Sequence, residues 1–458
     1  MIITASREPK TLIVTNVLLA VIGSILLILY RIGLHSRGAA DIIWFIKLAL
    51  VQSVLYLIAA WLIVRARSAR STLIIVLVLA GIFRLSIVFA PPYLSDDIYR
   101  YVWDGRVQAA GINPYRYIPA DEHLQNLRDE EIYPKINRRD YAHTMYPPAA
   151  EAAYFLTTRI SETVTWMKLT IVGFELITVW LLMELLASFG MPRQRVLIYA
   201  WHPLVVWEFA GSGHIDPLAF AFIALALLAR RRNWETATGI SLGLATLAKL
   251  FPIVLFPALY KRWGWKMPTA LAATIVVGYL PYLGVGPLGV LGFIPGYAQE
   301  RGIVSGGQFF ILGLVDRLLG FKLPNAIFLS FAAAVLLGLA LWSIFKRGDD
   351  EGGYLKRSLV LGTAFMVFFA PDFAWYFAWL IPFLCCVPSI PVFYLTVASF
   401  FLYLTWIYWT ETQYFKIKAL IFFPFFLLVA LIFWLKSRRH HVYTHSYPQD
   451  PDRSVGAK

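Results

Sequence analysis

Two adjacent carboxylates open the stretch Ser95-Asp96-Asp97-Ile98-Tyr99-Arg100-Tyr101-Val102-Trp103-Asp104-Gly105-Arg106, just after Pro91-Pro92 and an apolar run. Read as a helix, Asp97, Arg100, Tyr101 and Asp104 share one face. Ile98, Val102, Gly105 and Ala109 share another, and Gly111 supplies a stop. Carboxylates at the mouth of such a helix can take a proton from a hydroxyl. They also suit a plainer role. Ser95 is a good N-cap, and acids in a first turn complement the helix macrodipole. On these residues alone both readings stay open.

Other ionisable groups stand in or beside apolar runs, where they are costly and each becomes a candidate. Lys249 interrupts Ala245-Thr246-Leu247-Ala248-Lys249-Leu250-Phe251-Pro252. It either snorkels to an interface or meets an anion where Pro252 opens the backbone. His214 and Asp216 lie in Gly211-Ser212-Gly213-His214-Ile215-Asp216-Pro217. That is an ordinary turn composition, and equally a site for hydroxyl or phosphate groups. Glu300 and Arg301 lie in a flexible polar stretch, Gly296 to Gln308, that reads as a lid or as a connector. Arg106 and Asp372 complete the set. No P-loop, Cys-x-x-Cys, HExxH or GxSxG is present. Asp96 and Asp97 could hold a divalent metal with Asp104, but an isolated acidic cluster does not by itself support one, and no cofactor is expected.

The elements that carry these groups are set by hydropathy. The 458 residues are 59% hydrophobic and 16% aromatic, with mean hydropathy +0.65. That exceeds the apolar share of a soluble protein, about half. The apolar runs are continuous rather than alternating, which speaks against a β-barrel. Spans are read near 11–30, 41–64, 72–90, 165–188, 196–210, 216–230, 237–260, 268–285, 324–345, 357–370, 373–388, 391–410 and 418–436. The short Phe309–Leu319 run reads as re-entrant. The expectation is an all-α integral membrane bundle of about 12–14 transmembrane helices. The first apolar run is read as a retained span rather than a signal peptide.

The net charge of +14 sits in short clusters between the runs, including Arg65-Ala66-Arg67, Arg230-Arg231-Arg232, Lys346-Arg347 and Arg438-Arg439. This is positive-inside patterning, not a nucleic-acid footprint. It puts both termini in the cytoplasm. The 91–145 loop, the 211–216 turn, the 286–308 loop and Pro371-Asp372 then fall outside. The expected divisions are N-terminal helices (1–90), a large exoplasmic loop with short amphipathic helices and the candidate acids (91–145), a transmembrane core (146–437) and a polar cytoplasmic tail (438–458). The paired Cys385-Cys386 lies in an apolar run and makes no disulfide framework. No internal repeat is evident, which speaks against an inverted-repeat transporter.

Four landmarks then resemble the polytopic GT-C glycosyltransferases that use polyprenyl-phosphate sugars, especially the bacterial mannosyltransferase-like members. They are Asp96-Asp97-Ile98-Tyr99-Arg100-Tyr101 with Gly111-Ile112-Asn113-Pro114-Tyr115; Tyr146-Pro147-Pro148; Gly213-His214-Ile215-Asp216-Pro217 with Leu247-Ala248-Lys249-Leu250-Phe251-Pro252; and Trp375-Tyr376-Phe377-Ala378-Trp379-Leu380-Ile381-Pro382. The acidic loop follows about the third span rather than the first, and Ala374 stands where related chains often have Pro. The resemblance implies transfer of a hexose, mannose above all, from a polyprenyl-phosphate donor to an exoplasmic glycan or lipid-linked acceptor, with inversion, at the plasma membrane. It puts the general base at Asp97, with Asp96 second. Lys249 and Arg301, assisted by His214, would hold the phosphate. Arg100, Tyr101, Asp104, Tyr146 and Asp216 complete the expected substrate-binding set. The rival expectations are an envelope polysaccharide polymerase or ligase, and a flippase or transporter of lipid-linked saccharides.

Overall fold

A computed structural model describes residues 8–35, 41–346, 352–408 and 410–444. Among them the chain is all-helical, with no strand. Seven helices are long and apolar enough to cross a membrane: Thr11–Gly33, Ile42–Arg65, Arg70–Ile87, Val164–Ser188, Lys266–Val285, Asn325–Phe345 and Glu411–Arg438. Each coincides with an expected span. The remaining expected spans are helical but shorter or broken. The 216–230 run is the helix Asp216–Arg231, and 357–370 is the helix Gly353–Phe369. The 237–260 run stops being an α-helix at Ala248, ahead of Pro252, and continues as a tighter turn and one short helix, Phe256–Leu259. Proline supplies no N–H to continue the helical ladder there. The segments 196–210, 373–388 and 391–410 are likewise divided into short helical pieces. Phe310–Leu319 is a short helix closed by left-handed Gly320.

We label the first six helices α1 (Glu8–Gly33), α2 (Ile42–Arg65), α3 (Arg70–Ile87), α4 (Asp97–Ala109), α5 (Pro148–Thr158) and α6 (Val164–Ser188). α1 packs on α2 and α3; α6 packs on the helix Asp216–Arg231, which packs on Glu235–Ala248. That last helix meets Lys266–Tyr279 through Gly239 and Gly243. A Cβ on Gly239 would lie 2.3 Å from the Met267 carbonyl oxygen. Small residues four apart let two apolar helices touch backbone to side chain, the usual solution where lipid surrounds both.

One continuous core joins α1–α6 to the central and C-terminal segments, and a small satellite forms around Phe309, Leu312, Phe328 and Ala332. Outside it, long helices present apolar faces outward: Val14, Val17 and Val21 on α1, Leu176 and Trp180 on α6, Leu427 and Phe433 near the C-terminus. An exposed apolar surface of this extent fits a lipid surround. The helix Glu411–Thr444 runs past the expected start of the polar tail, and 445–458 and Arg347 lie outside the described residues.

Candidate active site

Pro91-Pro92 ends the α3 run, and the chain turns into α4. The Asp97 N–H donates to Ser95 Oγ at 3.2 Å, so the serine, not an acid, starts the helix. Asp96 occupies the cap position yet its side chain makes no capping bond. Both carboxylates are instead gathered by one amide. Asn137 Nδ2 donates to Asp96 Oδ1 at 2.7 Å and to Asp97 Oδ1 at 2.8 Å. Neither side chain makes a capping bond, although Asp97 still stands in the first turn of α4. The Asp96 side chain reaches solvent, but the protein around it reduces its solvation and raises its pKa. The Asp97 charge adds to the rise, and the Asn137 hydrogen bond opposes it.

α4 is held by close packing. A Cβ on Gly105 would lie 2.5 Å from the Tyr154 carbonyl oxygen of α5. The Tyr101 ring stacks on Tyr154 at 4.5 Å and meets Tyr146 edge-on at 5.0 Å. Arg100 Nε reaches both oxygens of Asp104, at 2.8 and 2.9 Å, and its Nη1 donates to the Ala142 carbonyl at 3.0 Å. Arg106 staples the loop to Asp129 and Glu162, each at 2.7 Å.

The 91–145 loop, Lys249, the Ile294–Glu300 region and the 373–376 segment enclose a cavity of about 580 Å³. Asp96, Asp97, Arg100, Tyr146, Lys249 and Arg301 line it. His214 and Asp216 stand immediately behind. Tyr101 and Asp104 are buried and do not line it, and Asp104 is turned to Arg100 rather than to the other two aspartates. Among the described residues no group of three or more His, Cys, Asp or Glu side chains could hold a metal ion.

His214 is placed by Gly213, whose φ of +81° suits glycine and whose absent Cβ admits Ile98 of α4, 2.3 Å from where it would stand. The imidazole lies with Nδ1 3.8 Å from Asp97 Oδ2 and Nε2 3.3 Å from Glu208 Oε2, stacked on Trp375 at 4.1 Å. Burial alone would lower the His214 pKa. The Glu208 carboxylate beside it and the charges of Asp97 and Asp216 outweigh it, and the net shift is upward. Asp216 begins its helix fully buried. Its Oδ1 accepts from Trp379 Nε1 at 2.9 Å and its Oδ2 faces Lys249 Nζ at 3.4 Å. Lys249 follows a helix end in extended conformation, near the Tyr146 and Tyr376 rings. It is thus held inside the protein beside a carboxylate rather than snorkelling.

The rest of the wall is aromatic and cationic. Arg301 lies over Phe373 at 4.4 Å and Tyr297 at 5.3 Å. Phe373 stacks on Trp375, and the Tyr297 and Tyr376 hydroxyls meet at 3.1 Å. Glu300 is taken by Arg138 and by the Tyr141 hydroxyl, each at 2.8 Å. Asp372 is taken by Lys418 at 2.7 Å, away from the cavity lining.

Sequence reasoning missed Asn137, Arg138 and Glu208. The first two sit in a polar stretch with no distinguishing pattern. Glu208 had a signal: it is an acid inside the apolar run 203–210, where a charge is costly.

The arrangement offers a carboxylate for a proton, cations for an anionic leaving group, and flat rings for a sugar face. No curated protein and no solved structure matches the chain. A family model covers residues 11–264, more than half of the chain, and by it the chain belongs to the MptA_B family, alpha-(1->6)-mannopyranosyltransferase, N-terminal domain.

Proposed function

We propose that this multi-pass membrane mannosyltransferase is of the GT-C type. It takes mannose from a polyprenyl-phosphate donor and passes it, with inversion, to a hydroxyl of a lipid-linked or glycan acceptor. The linkage is the α-(1→6) named in the family's description. The reaction takes place on the exoplasmic face of the plasma membrane, and both termini are cytoplasmic. The observation that carries this reading is that Asp97, Lys249 and Arg301 line one cavity.

Asp97 takes the proton from the acceptor hydroxyl as that oxygen attacks the anomeric carbon. The bond from that carbon to the phosphate oxygen breaks, and its electron pair leaves on the lipid phosphate. A phosphate is a good leaving group, so the demand falls on the base and on cations that receive the developing charge. Lys249 and Arg301 supply those cations. Asp96 keeps a second negative charge beside the base, and Arg100 stiffens the wall through Asp104. Tyr146, Tyr297 and Trp375 offer ring faces to the sugar. The reaction needs no cofactor.

The test is mannosyl transfer by purified protein in lipid nanodiscs, with polyprenyl-phosphate mannose or a nucleotide-diphosphate mannose as donor. Wild type is expected to use the first and not the second. Folded Asp97→Asn is expected to lose about 10²–10⁴-fold in kcat, the usual worth of a general base. Consumption of the nucleotide sugar would overturn the donor assignment. Loss that follows Asp96→Asn, with Asp97→Asn active, would move the base by one residue.

A further inference from the structure

We propose that Glu208 is a positioning residue for mannosyl transfer: through His214 it holds Asp97 as an oriented carboxylate. The inference rests on the transferase reading above.

Glu208 lies in Val206–Gly211, a single turn wound more widely than an α-helix. Such turns recur at functional sites because the extra residue re-aims side chains. The residue is fully buried, and neither carboxylate oxygen has a well-formed hydrogen bond. Each of the other buried acids accepts at least one hydrogen bond, although Glu175 Oε2 and Asp216 Oδ2 have none. Glu175 accepts twice from Arg84, at 3.2 and 2.7 Å. Glu151 accepts from Thr144 and Gln108, and Asp104 from Arg100. An acid kept buried beside an imidazole alone is expensive unless that imidazole carries a charge.

The groups facing His214 from each neighbouring element agree. α4 presents Asp97, the wide turn presents Glu208, and the helix Asp216–Arg231 presents Asp216, already engaged by Lys249 and Trp379. α6 presents the stem of Lys168 beside Gly213, with its amino group on the Ala90 carbonyl at 2.7 Å. The 373–376 segment presents the Trp375 ring. Two carboxylates therefore flank one imidazole. As imidazolium it attracts both, which fixes one oxygen of Asp97 and leaves its other lone pairs for the acceptor hydroxyl.

The sign of the pH dependence follows. A His pKa raised by its partners means the imidazolium is present at low pH and lost as pH rises through that value. Transfer should then show an alkaline limb set by His214. Glu208→Gln removes the charge and should move that limb to lower pH by about 1–3 units, the range for one close charge. It should also lower kcat by about tenfold or more at the wild-type optimum, with KM little changed. Glu208→Asp keeps the charge and should restore the limb in part. His214→Gln should abolish the limb, and it carries the test should Glu208→Gln be recovered misfolded.

A parallel readout needs no turnover. Histidine-labelled protein titrated by NMR should show the His214 midpoint fall in Glu208→Gln. A uniform loss of rate with limb and midpoint unmoved, or an alkaline limb that survives His214→Gln, would overturn the proposal. If wild type transfers no mannose, the transferase reading fails instead, while the NMR midpoint still reports whether Glu208 and His214 are coupled.

Discussion

A single amide nitrogen sits between two carboxylates at the mouth of α4. Asp96 and Asp97 repel one another, and Asn137 is the donor that both share. A hydrogen bond to a charged group is worth about 1.5–3 kcal/mol. Replacing Asn137 by Ala therefore removes the one donor that both carboxylates share. The two largest effects that remain on Asp96, lost solvation and the Asp97 charge, both raise its pKa, against smaller opposing effects of a backbone hydrogen bond and the Arg138 charge. We expect Asn137→Ala to lower kcat roughly tenfold or more. We also expect the acid limb of the rate profile to move to higher pH, since Asp96 then takes up its proton earlier as pH falls. An acid limb in the wild-type position would mean that Asn137 does not govern the pair. Nothing in the local sequence marked Asn137, because it is one polar residue among several. It acquires meaning only when the loop folds back across the start of α4.

At the scale of elements, the site depends on how closely α4 lies on α5. The Gly105 position has no room for a methyl group between the helices. Gly105→Ala should push α4 outward, cost about 1–3 kcal/mol as an overpacked contact, and depress activity through displacement of Asp97. The control is Gly173→Ala on α6, where a Cβ would meet nothing within 4 Å. Thermal unfolding in detergent reads both. Equal Tm values for the two variants would rule out the close contact. α4 was visible in advance because its apolar and polar faces separate cleanly at helical spacing. The long helices were visible for the same kind of reason, as uninterrupted apolar runs. The broken segments 196–210 and 373–410 were not. An apolar run looks alike whether it is one helix or several short turns, and here Pro203, Pro382 and Pro391 divide it. The wide turn that carries Glu208 leaves no pattern of its own in composition.

Across the whole molecule, loops far apart in the chain converge on one cavity, and the basic clusters lie elsewhere. The orientation we propose can be read with cysteine chemistry, because Cys385 and Cys386 are both buried. A cysteine replacing exposed Gln125, in the acid-bearing loop, should react with a membrane-impermeant maleimide in intact cells. One replacing exposed Arg232 should react only after permeabilisation. The reverse pattern would invert the topology. The cavity also crosses a boundary in the chain. Asp96, Asp97, His214 and Lys249 lie within the stretch 11–264 that the family model covers, whereas Tyr297, Arg301, Phe373 and Trp375 lie beyond it. The proposed base and one proposed cation, with the Tyr146 ring, thus lie within the family stretch. The Tyr297 and Trp375 rings and the second proposed cation lie outside it. In the proposed reaction, substitutions in the later portion would then alter which sugar or glycan is welcomed, while those in the earlier portion would reach the reaction itself.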